Sequence, residues 1–381
     1  MITLKKTKYP MSDELVRRKL FWLLQRLSSY SLWQRKRDAW AYFTQQYEQA
    51  LKTWPEDKSD GFHPKTIIWA YNALRLYEEG LPELATGNRQ VWQIKTGKFH
   101  QLNQPVDLVK KFFYPLCHER WTQVEDYPLE VEKLNRLKIA AEFWGDNLLY
   151  PPHDNVCNFF DAAYLLDPKN YNYNLTRFTY PVFPKEIPPI PKCSDIIIKT
   201  DDAVPCDGIW EPVKIQYRHK LLVIKDGISG LKNLGAYNYF IRGMNAPRQV
   251  YYDVLIESDK EVVVTDDPIR YRDVHWRLVW EDTRYRDGII PDESDYFLDD
   301  NKGKRITCDT GDCCPHSGQW STLAGGHQQF INIQAGSVMP EAKKYQSDSF
   351  APEIMLPATW SLLHRDDEGD VFIKKNNDVT D

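Results

Sequence analysis

At 381 residues, 42% hydrophobic and 27% charged, the chain has a globular composition and room for two or three domains. A formal net charge of −5 excludes a generally basic, nucleic-acid-coating protein. No apolar run approaches the roughly 18 residues of a membrane span, and the N-terminal MITLKKTKYPMSDE has no apolar stretch behind its lysines, so neither a membrane anchor nor a signal peptide is expected.

Seven cysteines without framework-like spacing are read as reduced thiols, which with the missing export signal points to the cytoplasm. From Ser12 the pattern is helical. Ser12 is placed to cap, Asp13 and Glu14 suit the positive end of a helix dipole, and Leu20, Leu23, Leu24 and Leu27 form a stripe at helical spacing. Ser28–Ser31 interrupts it. A second helix carries Trp33, Trp40, Phe43, Tyr47 and Leu51 and stops at Trp54-Pro55.

A third helix starts near Pro64, presents Ile67, Ile68, Tyr71 and Leu74, and is expected to end at Gly80. A fourth begins near Pro105 with Val109, Phe112, Phe113 and Leu116, kinked at Pro115. A fifth runs from Pro128 through Leu134, Leu137 and Ala141 to Trp144-Gly145, and a sixth covers Val156 to Leu166. Residues 1–178 therefore read as an all-α bundle domain. The prolines at 181, 184, 188, 189 and 191 mark an extended connector over 179–193.

Beyond the connector, short β-branched runs replace helical spacing. Here the chain repeats itself. Asp202, Pro205, Gly208 and Trp210 are answered by Asp312, Pro315, Gly318 and Trp320 at identical internal spacing. Gly243-x-x-x-Pro247 is answered by Gly336-x-x-x-Pro340, and Trp276 by Trp360. Pro with Gly three residues on sets a turn, and the Trp then opens a strand over a small core. The expected class is α+β and multidomain: the helical bundle, then two tandem bent-sheet or SH3-like barrel modules at 194–300 and 301–372, with a tail at 373–381.

Cys308, Cys313, Cys314 and His316 have metal-ligand chemistry, but two of the cysteines are adjacent and no distant second pair appears. Ala203 and Val204 stand in the other copy where Cys313 and Cys314 stand here, so the module is expected to fold without metal, and no cofactor is expected. There is no dinucleotide fingerprint, Walker loop, HExxH or G-x-S-x-G. His275 could serve as a base, but a histidine at a strand start is more often packed or solvated.

Residues 281–300 hold eight carboxylates and two arginines, mixed with Tyr285, Tyr296 and Phe297. Glu281, Asp282, Arg284, Tyr285, Asp287, Asp292, Glu293, Asp295 and Tyr296 are candidates for a partner-binding edge, charge for steering and aromatics for anchoring. The plainer alternative is a solvated loop with local ion pairs.

The stretch WRLVWEDTRYRDGIIPDESDYF, with CPHSGQW, GSVMP, TWSLL and the N-terminal LFWLLQRLSSYSLWQR, resembles immunity protein families 71 and 72 of bacterial polymorphic toxin systems. The resemblance implies a non-enzymatic, stoichiometric inhibitor whose partner is a cognate toxin delivered by a type VI or other contact-dependent apparatus. It brings no catalytic residues with it. The acidic segment suits a basic toxin, a nuclease being the natural guess, and no nucleic-acid or membrane partner is expected. Two other classes remain: an enzyme reversing the toxin's modification, with a deep polar pocket between the halves, and an adaptor or chaperone that binds the effector without inhibiting it.

Overall fold

The computed structural model describes residues 8–53, 64–113, 134, 137–138, 141, 146–167, 169–172, 180–220, 224–257, 261–298, 305–322, 324, 329–344, 352–367 and 369–373. α1 spans Glu14–Leu27 and α2 spans Tyr30–Thr53, with the serine-rich break where it was expected. The α1 cap is Asp13 instead of Ser12: its carboxylate accepts from Leu15 N at 2.8 Å, an acceptor of full negative charge at the positive helix end.

α3 spans Pro64–Ala85 and runs through the expected stop at Gly80. A Cβ at Gly80 would lie 2.5 Å from the Phe99 ring, so this glycine admits an aromatic side chain and does not end the helix. The helix face also differs. Ala70, Ala73, Leu76, Tyr77, Leu81 and Leu84 are buried, while Ile68 and Tyr71 are exposed. Small Ala70 and Ala73 let α2 approach closely, and Trp40 Nε1 donates to the Ala70 carbonyl at 2.9 Å.

The expected fourth helix begins near Pro105 as α5 (Asn103–Phe113), and a short α4 (Lys98–Gln101) that was not expected precedes it. Pro115 and Leu116 lie outside the described residues, as does most of the fifth helix, of which Leu134 and Ala141 are buried. The expected sixth helix reduces to a single turn at Ala163–Leu166. Ahead of it Val156 is extended and forms a parallel bridge to Arg248. The described part of the region before the connector is thus mainly helical, with an irregular border that reaches the β region.

The first module contains β1 (Ile197–Lys199), β2 (Gly208–Lys220), β3 (Ile224–Asn233), β4 (Asn238–Phe240), β5 (Gln249–Glu257), β6 (Glu261–Arg272) and β7 (His275–Glu281). The second contains β8 (Thr307–Asp309), β9 (Gly318–Thr322), β10 (Gln329–Ile333), β11 (Ala342–Lys343), β12 (Met355–Leu356) and β13 (Thr359–Arg365). The sheet orders are the same, β1-β7-β2-β3 and β8-β13-β9-β10, with β4 added on β2 and with separate hairpins β5–β6 and β11–β12. Among the described residues these are small antiparallel sheets, which with the preceding helices gives the expected α+β class.

The duplication holds down to single bonds. Trp276 pairs with Ile198 and Trp360 with Cys308; Trp210 pairs with Leu278 and Trp320 with Leu362. Trp276 Nε1 donates to Pro247 O at 2.7 Å, and Trp360 Nε1 to Pro340 O at 2.8 Å. Thr200 Oγ1 and Thr310 Oγ1 each donate to the carbonyl of that same proline. All four tryptophans are buried.

Gly208 and Gly318 sit where a strand crosses its neighbour: a Cβ would lie 2.1 Å from Trp280 O and 2.0 Å from His364 O. Alanine at either is expected to cost on the order of 3 kcal/mol, measured by urea denaturation. Gly243 and Gly336 also match, at φ +85° and +84°, but a Cβ there meets nothing within 4 Å. Alanine at these two should cost only about 1 kcal/mol of left-handed strain.

The cores are not divided as the domain boundaries suggest. The helical region and the first module share one hydrophobic cluster, in which Phe21 meets Trp280 at 5.9 Å and Trp92 meets Tyr239 at 5.9 Å. The second module has its own, built on Cys308, Cys314, Trp320, Met339, Trp360 and Leu362.

Candidate functional site

The acidic segment follows β7 and turns back against the break between α1 and α2. Much of it is interior. Asp282 is 1% exposed, Tyr285 2% and Glu293 5%, so these three candidates for a partner-binding edge lie in the interior. The reason is what the helix break leaves unpaired. A helix end has carbonyls and amides without intrahelical partners, and this segment supplies them.

At the end of α1, Arg284 Nη1 donates to Gln25 O at 3.0 Å and Nη2 to Ser28 Oγ at 2.7 Å, while Arg89 Nη1 donates to Ser28 O at 3.3 Å. At the start of α2, Tyr30 N donates to the Tyr285 hydroxyl at 2.9 Å and Ser31 N to Glu293 Oε2 at 2.8 Å. The Tyr285 hydroxyl in turn donates to Glu293 Oε1. Cations thus meet the negative end of one helix and an anion the positive end of the next.

Asp282 holds the centre. Its carboxylate accepts from Arg89 Nη2 at 2.9 Å, Arg284 Nη2 at 2.8 Å and the Tyr239 hydroxyl at 2.8 Å. Burial alone would raise its pKa, but the two guanidiniums outweigh it and hold Asp282 below the usual carboxylate range. Asp282 in turn raises the Tyr239 hydroxyl, adding to the effect of burial. Asp207 lies behind: its Oδ1 accepts from Arg242 N at 2.8 Å, and burial raises its pKa.

A second ion pair closes the same seam. Buried Glu211 on β2 accepts from Arg277 on β7, and Arg17 on α1 approaches to 3.6 Å. The pH dependence follows from Asp282. A carboxyl with a depressed folded pKa contributes stability that is full above its unfolded value, about 3.9. That contribution is lost as the pH falls through the lower folded value. Asp207, raised, acts in the opposite sense. Stability measured by urea from pH 6 to pH 2 should fall at the acid end, with a shallower slope in Asp282→Asn.

Much of the rest is exposed, although Phe297 is buried. From Arg286 to Asp292 every side chain reaches solvent, as do Ser294, Asp295 and Leu298; Ile289 is 65% and Ile290 38% exposed. The loop is held in shape. Asp287 Oδ1 accepts from Ile289 N at 3.0 Å and Asp292 Oδ1 from Ser294 N at 2.9 Å, while Arg286 pairs with Glu281 at 2.9 Å. Tyr296 is half-buried against Trp22 at 5.4 Å, and its carbonyl accepts from Arg26 Nε at 2.9 Å. The loop thus carries an exposed apolar tip among carboxylates, above a buried network.

Sequence reasoning missed Arg89, Tyr239, Glu211 and Arg17. Arg89 meets Asp282 across 193 residues of chain, and no local pattern signals such a pairing. The thiols act locally: Cys313 Sγ donates to Gly336 O at 3.3 Å and Cys314 Sγ to His316 O at 3.2 Å. Among the described residues no group of three or more His, Cys, Asp or Glu is gathered as for a metal. His275 begins β7, and burial together with Lys199 lowers its pKa.

The charged loop after β7 and the sheet that carries it fall within a stretch that matches a known family. Residues 189–298 match the family model Imm72, immunity protein 72, which bears out the resemblance to immunity proteins. The match runs from the connector through the first module to the end of the acidic segment. No curated protein and no solved structure matches the chain.

Proposed function

We propose that the protein is a cytoplasmic immunity protein that binds a cognate bacterial toxin, delivered by a type VI or other contact-dependent system, and neutralises it by stoichiometric occlusion. The observation that carries this reading is the loop Arg286–Asp295, an exposed Ile289-Ile290 tip rimmed by Asp287, Asp292 and Asp295 on a buried base. The family match covers this loop and the sheet that holds it. Aspartates around an apolar anchor suit a basic toxin surface, the charge raising the on-rate and the anchor slowing release.

The enzyme alternative expects a polar pocket between the halves. A cavity of about 340 Å³ is lined there by Gln93, His153, Asn155, Met244 and Asn245 among others. His153 is the one titratable side chain among its described lining residues, whereas acid–base chemistry at such a site calls for paired groups.

The test is capture of the toxin on the tagged protein, then titration of its activity. Inhibition saturating at a fixed ratio is the expected result. Protection by trace amounts would mean an enzyme, and capture without inhibition an adaptor.

A further inference from the structure

The two copies of the module differ in what is seated on them. In the first copy the backbone of Arg248 is bracketed by the chain ahead of the connector. Its N–H donates to Asn155 O at 2.8 Å and its carbonyl accepts from Cys157 N at 2.7 Å, a parallel bridge centred on Val156. Asn155 adds a side-chain hydrogen bond to Asp201. An extended segment from elsewhere in the chain thus occupies one strand position of the module.

The internal register identifies the same position in the second copy. Gly243 N donates to Val204 O, and Gly336 N to Cys314 O; Ala203 bridges Asn245, and Cys313 bridges Val338. Five residues beyond each glycine stand Arg248 and Glu341. Glu341 is exposed, and among the described residues neither its N–H nor its carbonyl has a backbone partner, although the next residue, Ala342, is buried at the start of β11. Among the described residues, the slot that Val156 fills in one copy is open in the other.

The surroundings of the slot have changed with it. Ala203 is replaced by Cys313, Asn245 by Val338, Arg248 by Glu341, and Asp201, whose carboxylate accepts from Asn155, by Gly311. Val338 is 65% exposed, and neither Asp312 nor Glu341 has a cationic partner among the described residues. An unpaired strand position beside an exposed apolar side chain is a template for an added strand, main-chain bonds giving affinity and flanking side chains selectivity.

Resting on the immunity reading, we infer that the second module takes an extended, basic segment of the toxin at Glu341, in the parallel register that Val156 adopts on Arg248. The acidic loop and this slot would then be two separate contacts. Arg248, which pairs with Asp273 in the occupied copy, is Glu341 here, and with Asp312 in the place of Asp202 it makes a negative rim suited to a basic occupant.

Glu341→Pro removes the N–H an added strand would use, and Val338→Asp places a charge against its side chains. Titrated against toxin captured on the wild-type protein, each variant is expected to bind at least tenfold more weakly at an unchanged thermal midpoint. If the proline variant misfolds, Val338→Asp decides alone. Wild-type affinity in Val338→Asp overturns the slot and leaves the immunity reading standing. If the wild type captures no toxin that it inhibits, that reading fails. The slot is then decided by a synthetic peptide copying residues 151–158 with Asp154→Lys. Its binding should shift the amide resonances of Cys313, Val338 and Glu341 and be lost in Val338→Asp; no shift there overturns the inference.

Discussion

Asp282→Ala is expected to destabilise the protein by about 3–5 kcal/mol, the range for breaking a buried ion pair from one side. The cost lies in what remains. Arg89 is fully buried and Arg284 largely so; without the carboxylate Arg89 faces only carbonyls and rings, and Arg284 keeps only Glu293, at 3.9 Å, as a counter-charge. Tyr239 also loses its acceptor. The damage reaches the helix break, because Arg89 and Arg284 are placed on the Gln25 and Ser28 carbonyls by the same carboxylate. Asp295→Ala, on the exposed side of the segment, should stay within about 0.5 kcal/mol. A shift of the urea midpoint at constant slope in the first variant alone is the expected outcome; equal midpoints would show that the network contributes no net stability.

The contrast between these aspartates shows what the sequence could and could not convey. The β duplication was legible because each landmark is a local demand. Gly208 and Gly318 stand where a neighbouring carbonyl leaves no room for Cβ, and Trp276 and Trp360 reach the same proline carbonyl. Such demands leave residues at fixed spacing. The acidic segment was legible as charge but not as burial, because what neutralises Asp282 lies partly at Arg89, far away in the chain. The same holds for α3. Ile68 and Tyr71 are the more apolar choice by composition, yet the alanine face is buried, since α2 approaches too closely for larger side chains. Even the irregular border at Val156 obeys this logic: its place is set by an open strand position on the module, which helical spacing cannot reveal.

Ile289→Asp should leave the fold intact and reduce toxin affinity by about 2 kcal/mol or more, roughly 30-fold, as for loss of a central apolar anchor. The side chain is 65% exposed, so its removal takes little from the protein's own core. On the proposed reading its contribution comes only on binding, in a loop already ordered by the Asp287 and Asp292 turns, which would offer a partner an anchor at small entropic cost. Reversing Asp287, Asp292 and Asp295 to lysine should act differently, slowing association and flattening its salt dependence. A reversal set including Asp282 or Glu293 would confound binding with folding, because those two hold the helix break. Calorimetric titration of the captured toxin, with thermal midpoints measured alongside, separates the effects. Wild-type affinity in both the isoleucine and the lysine variants would remove the loop from the interface and leave the Glu341 slot as the contact to test.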